Sequence, residues 1–390
     1  MACYIASNDN RHYVALESTY GTVAAVTAQN RIPSLRLGIR ETAVIPRRRD
    51  KTGSRTFPGV PSGLRRRVAW DLSTYLTHWT DPEVEPCYGP LFRAALGAPP
   101  LIFSGGIVQG VTNETQIVTQ ANHGLVPGQA IRVGGEIRFV AAVATATSFV
   151  INAPFLEEPA TGTEIGPTIT YMPQTDLPSV SLFDFWSPAA AVQRLLAGAA
   201  VDRMRIQVNS DLQQFDFQGA AACLAESVAF TAGTGGLTEF PEEPAVAPGA
   251  FPLVPGSLGQ AWFGVESARF HTLVDAELIL DNDVDVRADD FGIDKVTCVA
   301  AGIRKVSLEM RLVSNTSAAM TGLYQAARQR APIGAMFQLG QQAQHLCGVY
   351  MPQVVPEVPE FEDEETRLQW KFRNCRAQGA GDDELVIAFA

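Results

Sequence analysis

Two stretches decide how this chain folds: GLRRRVAWDLSTYL at residues 63–76 and GIRKVSLEMRLVSN at residues 302–315. Each opens on a glycine and a basic cluster. Each then alternates apolar and polar residues with the period of two that marks a half-buried strand. A helix-like segment follows both, YGPLFRAAL at 88–96 and TSAAMTGLYQAARQ at 316–329, the second with Ser or Thr available as cap. Three more matches keep the same order. YMPQ stands at 171–174 and 350–353, MRIQV at 204–208 answers TRLQW at 366–370, and QGA recurs at 218–220 and 378–380. Five ordered matches imply a duplicated β-domain.

The surrounding sequence agrees with a mainly β chain. Phe215 and Phe217 alternate in QQFDFQ, and ELVIAFA at 384–390 reads as a buried strand. Frequent Pro and Gly punctuate short strands, and a third helix is expected from Ser187, with Pro188 at its first position. Within the repeat, the first copy carries an extra block of short alternating strands with turns at Asn122-His123-Gly124, Pro127-Gly128 and Gly134-Gly135. The expected organisation is therefore a discontinuous first domain (1–102 and 169–228), a small inserted β-domain (103–168), a Gly/Pro/Ala-rich linker (229–260) and a second domain (261–390). The two larger domains are expected to be β-sandwiches or barrels, each with a flanking helix.

Composition narrows the function. Hydrophobic residues at 46% and charged residues at 18% specify a chain able to bury a core. A net charge of −11 argues against a grip on nucleic acid, which needs clustered cations at phosphates. The charge is polarised, however. Between Arg31 and Arg67 lie eleven basic residues and two acidic ones, a local +9. Glu357 to Glu365 (EVPEFEDEE) is dense in carboxylates and reads as a solvated loop, or as a surface that repels DNA or meets a basic partner. Opposite fields in one chain favour association between copies.

Signals for chemistry are absent. No P-loop, GxSxG or HExxH occurs, and Gly233-Thr-Gly-Gly236 lacks the flanking strand and helix of a phosphate cradle. Asp281, Asp283 and Asp285 occupy the first ligand positions of an EF-hand loop, but Val286 and Gly292 stand where the loop needs Gly and Glu. The five histidines are scattered, and the six cysteines form no CxxC pair, so reduced thiols are expected. No cofactor, metal or catalytic residue is expected. No secretory pattern opens the sequence and no apolar run reaches membrane-helix length, so a cytosolic origin and no membrane partner are expected.

VALESTYGT at 14–22, GLRRRVAWDLSTYL, CYGPLFRAALGAP at 87–99, the YMP segment and AVDRMRIQVNSDLQQFDFQGAA at 200–221 together resemble the tail tube (major tail) proteins of siphovirus-like bacteriophages. The resemblance covers roughly 12–100 and 170–225, and the repeat carries it to the C-terminus. The insert resembles the small β-modules with an HGL-x-PG-Q turn that decorate phage tail proteins. The resemblance implies a structural virion protein that is not an enzyme. It would be assembled in the host cytoplasm as stacked rings, trimeric pseudo-hexamers or hexamers. Its partners would be itself and other tail proteins (tape measure, terminator and distal tail), with DNA only in non-specific transit. The loop with Arg47, Arg48, Arg49, Lys51 and Arg55, and its counterpart with Asp281, Asp283 and Asp285, would be stacking arms. Glu357, Glu360, Glu362, Asp363, Glu364 and Glu365 would face the lumen or a partner. A distal tail or tail-completion ring protein is the alternative, and a carbohydrate-binding module built on the insert a weaker one.

Overall fold

The computed structural model describes residues 5–45, 49–57, 59, 64–79, 81, 84–186, 191–245, 251–264, 267–287, 291–292, 296–364 and 366–390. Strands β1 (Asn10–Leu16), β2 (Arg31–Ile32), β3 (Ser34–Ala43) and β4 (Arg66–Tyr75) precede helix α1 (Gly89–Leu96) and β5 (Leu101–Phe103). Then come β6 (Gly106–Thr112), β7 (Gln116–Thr119), β8 (Ala130–Val133), β9 (Glu136–Thr145), β10 (Ser148–Ile151) and β11 (Glu164–Gly166). The chain continues through β12 (Thr168–Tyr171), β13 (Val180–Trp186), β14 (Arg194–Val208), β15 (Gln214–Ala221) and β16 (Cys223–Glu226). The second half contains β17 (Gly259–Gly264), β18 (Ala268–Arg269), β19 (Leu273–Asp281), β20 (Asp285–Arg287), β21 (Cys298–Ala300) and β22 (Lys305–Val313). Helix α2 (Ala318–Gln329), β23 (Ile333–Leu339), β24 (Cys347–Val355), β25 (Glu360–Glu364), β26 (Arg367–Ala377) and β27 (Val386–Phe389) complete it.

The chain is mainly β, as expected. Strands β6 to β11 close into a small barrel within the block read as an insert. In the first half, antiparallel pairing runs β3–β4–β15–β14–β13–β1. In the second half it runs β19–β22–β26–β24–β23–β17, the same order with a helix after the same strand. The segments GLRRRVAW and GIRKVSLEM contribute equivalent strands, β4 and β22. Two of the other matches do not correspond. YMPQ ends β12 in one half but lies inside β24 in the other, and MRIQV belongs to β14 whereas TRLQW opens β26. Those strands have different partners, so these short identities carry no structural equivalence.

Three layers result. One is an eight-stranded antiparallel sheet, β3–β4–β15–β14–β19–β22–β26–β25, that runs through both halves. An upper layer, β1–β13–β14 from the first half and β17–β23–β24–β27 from the second extended by the first-half strands β12 and β5, faces it across one apolar core. Strand β14 serves both layers because it bends at Gly198, whose φ of +64° and contact with Ala222 leave no room for a side chain. Helix α1 lies within the core, where Phe92 meets Phe215, Phe217 and Phe389 at ring distances of 5.0, 5.3 and 5.1 Å. The third layer covers the upper one. The barrel packs Ile137 and Phe139 on Trp262, Met336 and Val386, on the side away from the eight-stranded sheet.

Two expectations need correction. The helix expected from Ser187 does not form among the described residues; Arg194–Val208 is strand β14, flanked by ladders on both sides. Its Leu/Ala run is buried on both faces, and tertiary pairing overrides helix propensity there. The linker expected at 229–260 is no free spacer. Phe230, Leu237 and Phe240 pack on Tyr13, Phe183 and Phe185, and Val254 enters the main core, while ladders β14·β19 and β12·β27 join the halves directly.

Candidate assembly surface

The eight-stranded sheet is amphipathic by strand alternation. Val68, Trp70 and Leu72 of β4, Phe215 and Phe217 of β15, Met204 and Ile206 of β14, and Leu278 and Leu280 of β19 point into the core. Their neighbours point the other way and include the charged Asp71, Arg203, Arg205, Asp216 and Glu277. Arg36 pairs with Asp71 across β3 and β4. Arg205 forks onto Glu277 across the β14·β19 junction, with bonds of 2.5 and 2.9 Å, and lies 3.8 Å from Asp216. Arg311 donates to Asp275 at 2.9 Å, and Lys371 approaches Glu362 at 3.6 Å. The hydrogen bond to Glu277 holds the Arg205 guanidinium above the ordinary arginine pKa. The face is therefore rich in charge, yet these four cations lie beside carboxylates, which weakens their grip on phosphate.

A shallow pocket on this face is lined by Arg36, Asp71, Arg203, Arg205, Asp216 and Glu277. It offers alternating charge, and the Ser73 hydroxyl in its lining donates to Asp216 at 2.5 Å. Among the described residues, no group of three or more His, Cys, Asp and Glu side chains is placed to hold a metal ion. The five described cysteines are free, and burial pushes the Cys375 thiol up to about 11 and the Cys87 thiol up to about 12. Such thiols are poor nucleophiles. No helix among the described residues is long and apolar enough to cross a membrane.

The residues singled out from sequence fall into three places. Arg47 and Arg48 lie outside the described residues, whereas Arg49, Lys51 and Arg55 are exposed in the loop joining β3 to β4. Asp281 ends β19, Asp283 is exposed in the left-handed region at φ +51°, and Asp285 begins β20. Their segment joins β19 to β22, the equivalent strands, so both loops leave the sheet at the same end. The second is not a plain loop, because β20 and β21 pair within it.

The acidic stretch is corrected from loop to strand. Glu360–Glu364 forms β25, hairpinned onto β26. Period two explains it: Glu360 and Glu362 lie on the charged face, while Phe361 sits beside Tyr324 and Trp370 at 6.2 and 5.7 Å. Glu360 accepts from Arg373 at 2.9 Å and Glu357 from Arg330 at 2.9 Å. Asp363 is exposed, and Glu365 lies outside the described residues.

Sequence reading missed that the sheet ends are edges. Among the described residues, β3 pairs only with β4, and β25 only with β26. The signal was present: Arg36 and Arg40 alternate in one strand, Glu360 and Glu362 in the other. The aromatics that would serve a carbohydrate site, Phe103, Phe139, Phe149 and Phe155, are all buried in the barrel or its seat. No family model and no curated protein sequence matches this chain.

Proposed function

We propose that this chain is a structural tail tube subunit of a long-tailed, siphovirus-like phage. In this reading it is a duplicated pair of tail-tube-like domains with a barrel inserted in the first, and its activity is assembly rather than catalysis. Copies associate side by side into rings, the rings stack, and DNA passes through the hollow centre within the virion.

The observation that carries the reading is the eight-stranded sheet, four strands from each half in the same order, with an edge at either end that is open among the described residues. An open edge is a liability in a solitary protein and a joint in an assembly. The barrel covers the upper layer, away from the charged face, which leaves that face free to line a lumen. Ion-paired charge suits a wall past which DNA must slide. Two loops leaving the same end of equivalent strand pairs suit arms that reach the next ring. With two equal runs per chain, three chains supply a pseudo-hexamer.

Negative-stain microscopy and mass measurement of the purified chain test this. Hollow stacked tubes whose rings contain three copies are expected. Single rings that never stack would favour the distal tail reading, and six copies per ring would refute the pseudo-hexamer. A chain that stays monomeric at high concentration would overturn the proposal.

A further inference from the structure

We infer that neighbouring copies join by pairing β25 of one chain antiparallel with β3 of the next, on the pattern that β14 and β19 form inside each chain. This rests on the assembly reading above and adds which strands meet and in what register.

The internal junction is the template. In it β14 runs against β19 with Arg205 opposite Ile279, Ile206 opposite Leu278 and Gln207 opposite Glu277. Strands β4 and β22 end at Tyr75 and Val313 before their respective helices, which aligns the two four-strand runs. Following the ladders outward from that alignment gives each edge residue a counterpart. Ala69 opposes Arg40 as Ser307 opposes Ile279, so Arg40 corresponds to Ile279 and Gly38 to Glu277. Asp216 opposes Arg205 as Lys371 opposes Glu360, so Glu360 corresponds to Arg205, Phe361 to Ile206 and Glu362 to Gln207.

Transferring the template then sets Glu360 directly opposite Arg40 of the next copy, and Phe361 opposite Ile39. Glu362 faces Gly38, diagonally between Arg36 and Arg40. Diagonal and direct cross-strand neighbours lie within reach of long side chains. The polarity reverses that of the internal junction, where the cation is on β14 and the carboxylate on β19. Both joints are charge-complementary, and the reversal prevents β25 from accepting a second β25.

Burial supports the same occupant. Ile206 is 0% exposed because the β19 side of the core covers it, whereas its counterpart Phe361 is 58% exposed. A large apolar side chain at a sheet edge, whose equivalent is buried by a paired strand, marks the place of a missing strand. The existing Glu360–Arg373 and Arg36–Asp71 pairs are solvent-exposed and weakly held, so they do not prevent new pairing.

The test is a charge swap with a cross-link. Arg40→Glu and Glu360→Arg should each raise the protein concentration needed for assembly at least tenfold, and the double variant should recover most of it. Thermal melts establish that each variant folds. Arg40→Cys combined with Glu360→Cys should, on oxidation, give covalent multimers ending at the ring size, since directly opposed strand residues stand about 4.5–5.5 Å apart and a disulfide spans that distance. Each single cysteine variant is the control for the native thiols. If rings form but the single charge variants assemble normally, or the paired cysteines give no multimers beyond controls, the joint is overturned and the ring reading stands. If the parent chain never assembles, both fall.

Discussion

The upper layer is covered in two different ways. In the first half a short strap does it: Phe230, Leu237 and Phe240 lie on Tyr13, Phe183 and Phe185, and Glu243 ties the strap down through Arg11 and the Tyr13 hydroxyl. In the second half a whole barrel does it, with Arg138 as its buried tie. Arg138 donates to the carbonyls of Ile137 and Pro154 at 2.7 and 3.0 Å and pairs with Glu136. Its guanidinium also sits 5.0 and 5.2 Å from the ring centres of Trp262 and Phe155. The strap's ion pair is about one-quarter exposed on each side, whereas the Arg138 side chain is 0% exposed. Equivalent sheet faces thus tolerate very different covers, provided that apolar rings fill the contact. The energetic weight moves from a wet ion pair to a dry one.

That contrast breaks most readily at Arg138. Burial lowers its pKa to about 10, so the charge is retained near neutrality. Arg138→Ala removes the cation, its stacked rings and its carbonyl partners at once. A loss of about 3–5 kcal/mol in denaturant unfolding is expected, as for one member of a buried ionic network. Hydrogen exchange should quicken across β8 and β9 while β1 and β13 keep their protection. Arg138→Met, which refills the volume without the charge, should lose less. A loss below about 1 kcal/mol for the alanine variant would show that apolar packing alone seats the barrel.

The strap should respond less. Phe240 is half-buried and meets Phe230 edge-on at 6.1 Å. Phe240→Ala is expected to lower stability by about 1–2 kcal/mol, below the value for a fully buried ring. Limited proteolysis should then cut between Ala229 and Glu243 before it cuts the barrel. Equal cutting of parent and variant would mean that the strap does not depend on this ring.

Much of this architecture was legible in the sequence. Period-two alternation located β4, β15, β22 and β26, and Ser317, whose hydroxyl accepts from Met320 at 3.2 Å, marked α2. The barrel block stood out because its turns are chemically explicit. What failed did so for identifiable reasons. Arg194–Val208 is rich in Leu and Ala and buried on two sides, so it lacks alternation over its first half. The linker looked aperiodic because Phe230, Leu237 and Phe240 anchor without a repeating element. Acidic residues hid β25, since Glu360 and Glu362 are favourable only on a face that already holds Lys371 and Arg373. The edges escaped notice because a strand paired on one side reads like any other.

The smallest effect lies in the strap's ion pair, and pH isolates it. Hydrogen bonding from Arg11 lowers the Glu243 pKa below its ordinary value of 4.5, against the opposing effect of burial, with Tyr13 adding a second donor. The folded chain therefore binds this proton more weakly than the unfolded chain. The stabilisation is complete above the ordinary glutamate value and disappears as pH falls through the lower folded value. Because the pair is partly exposed, its contribution should be about 0.5–1 kcal/mol and should shrink in high salt. Glu243→Gln keeps the shape and deletes the titration. Parent and variant should differ in melting temperature at pH 6 and converge near pH 3, with the strap's exchange protection following the same course. Barrel residues should show no parent–variant difference at either pH, because Glu243 bonds only to Arg11 and Tyr13 among the described residues. A parent–variant difference that persists unchanged at pH 3 would place the Glu243 contribution in its shape rather than its charge, and the two covers would then differ in packing alone.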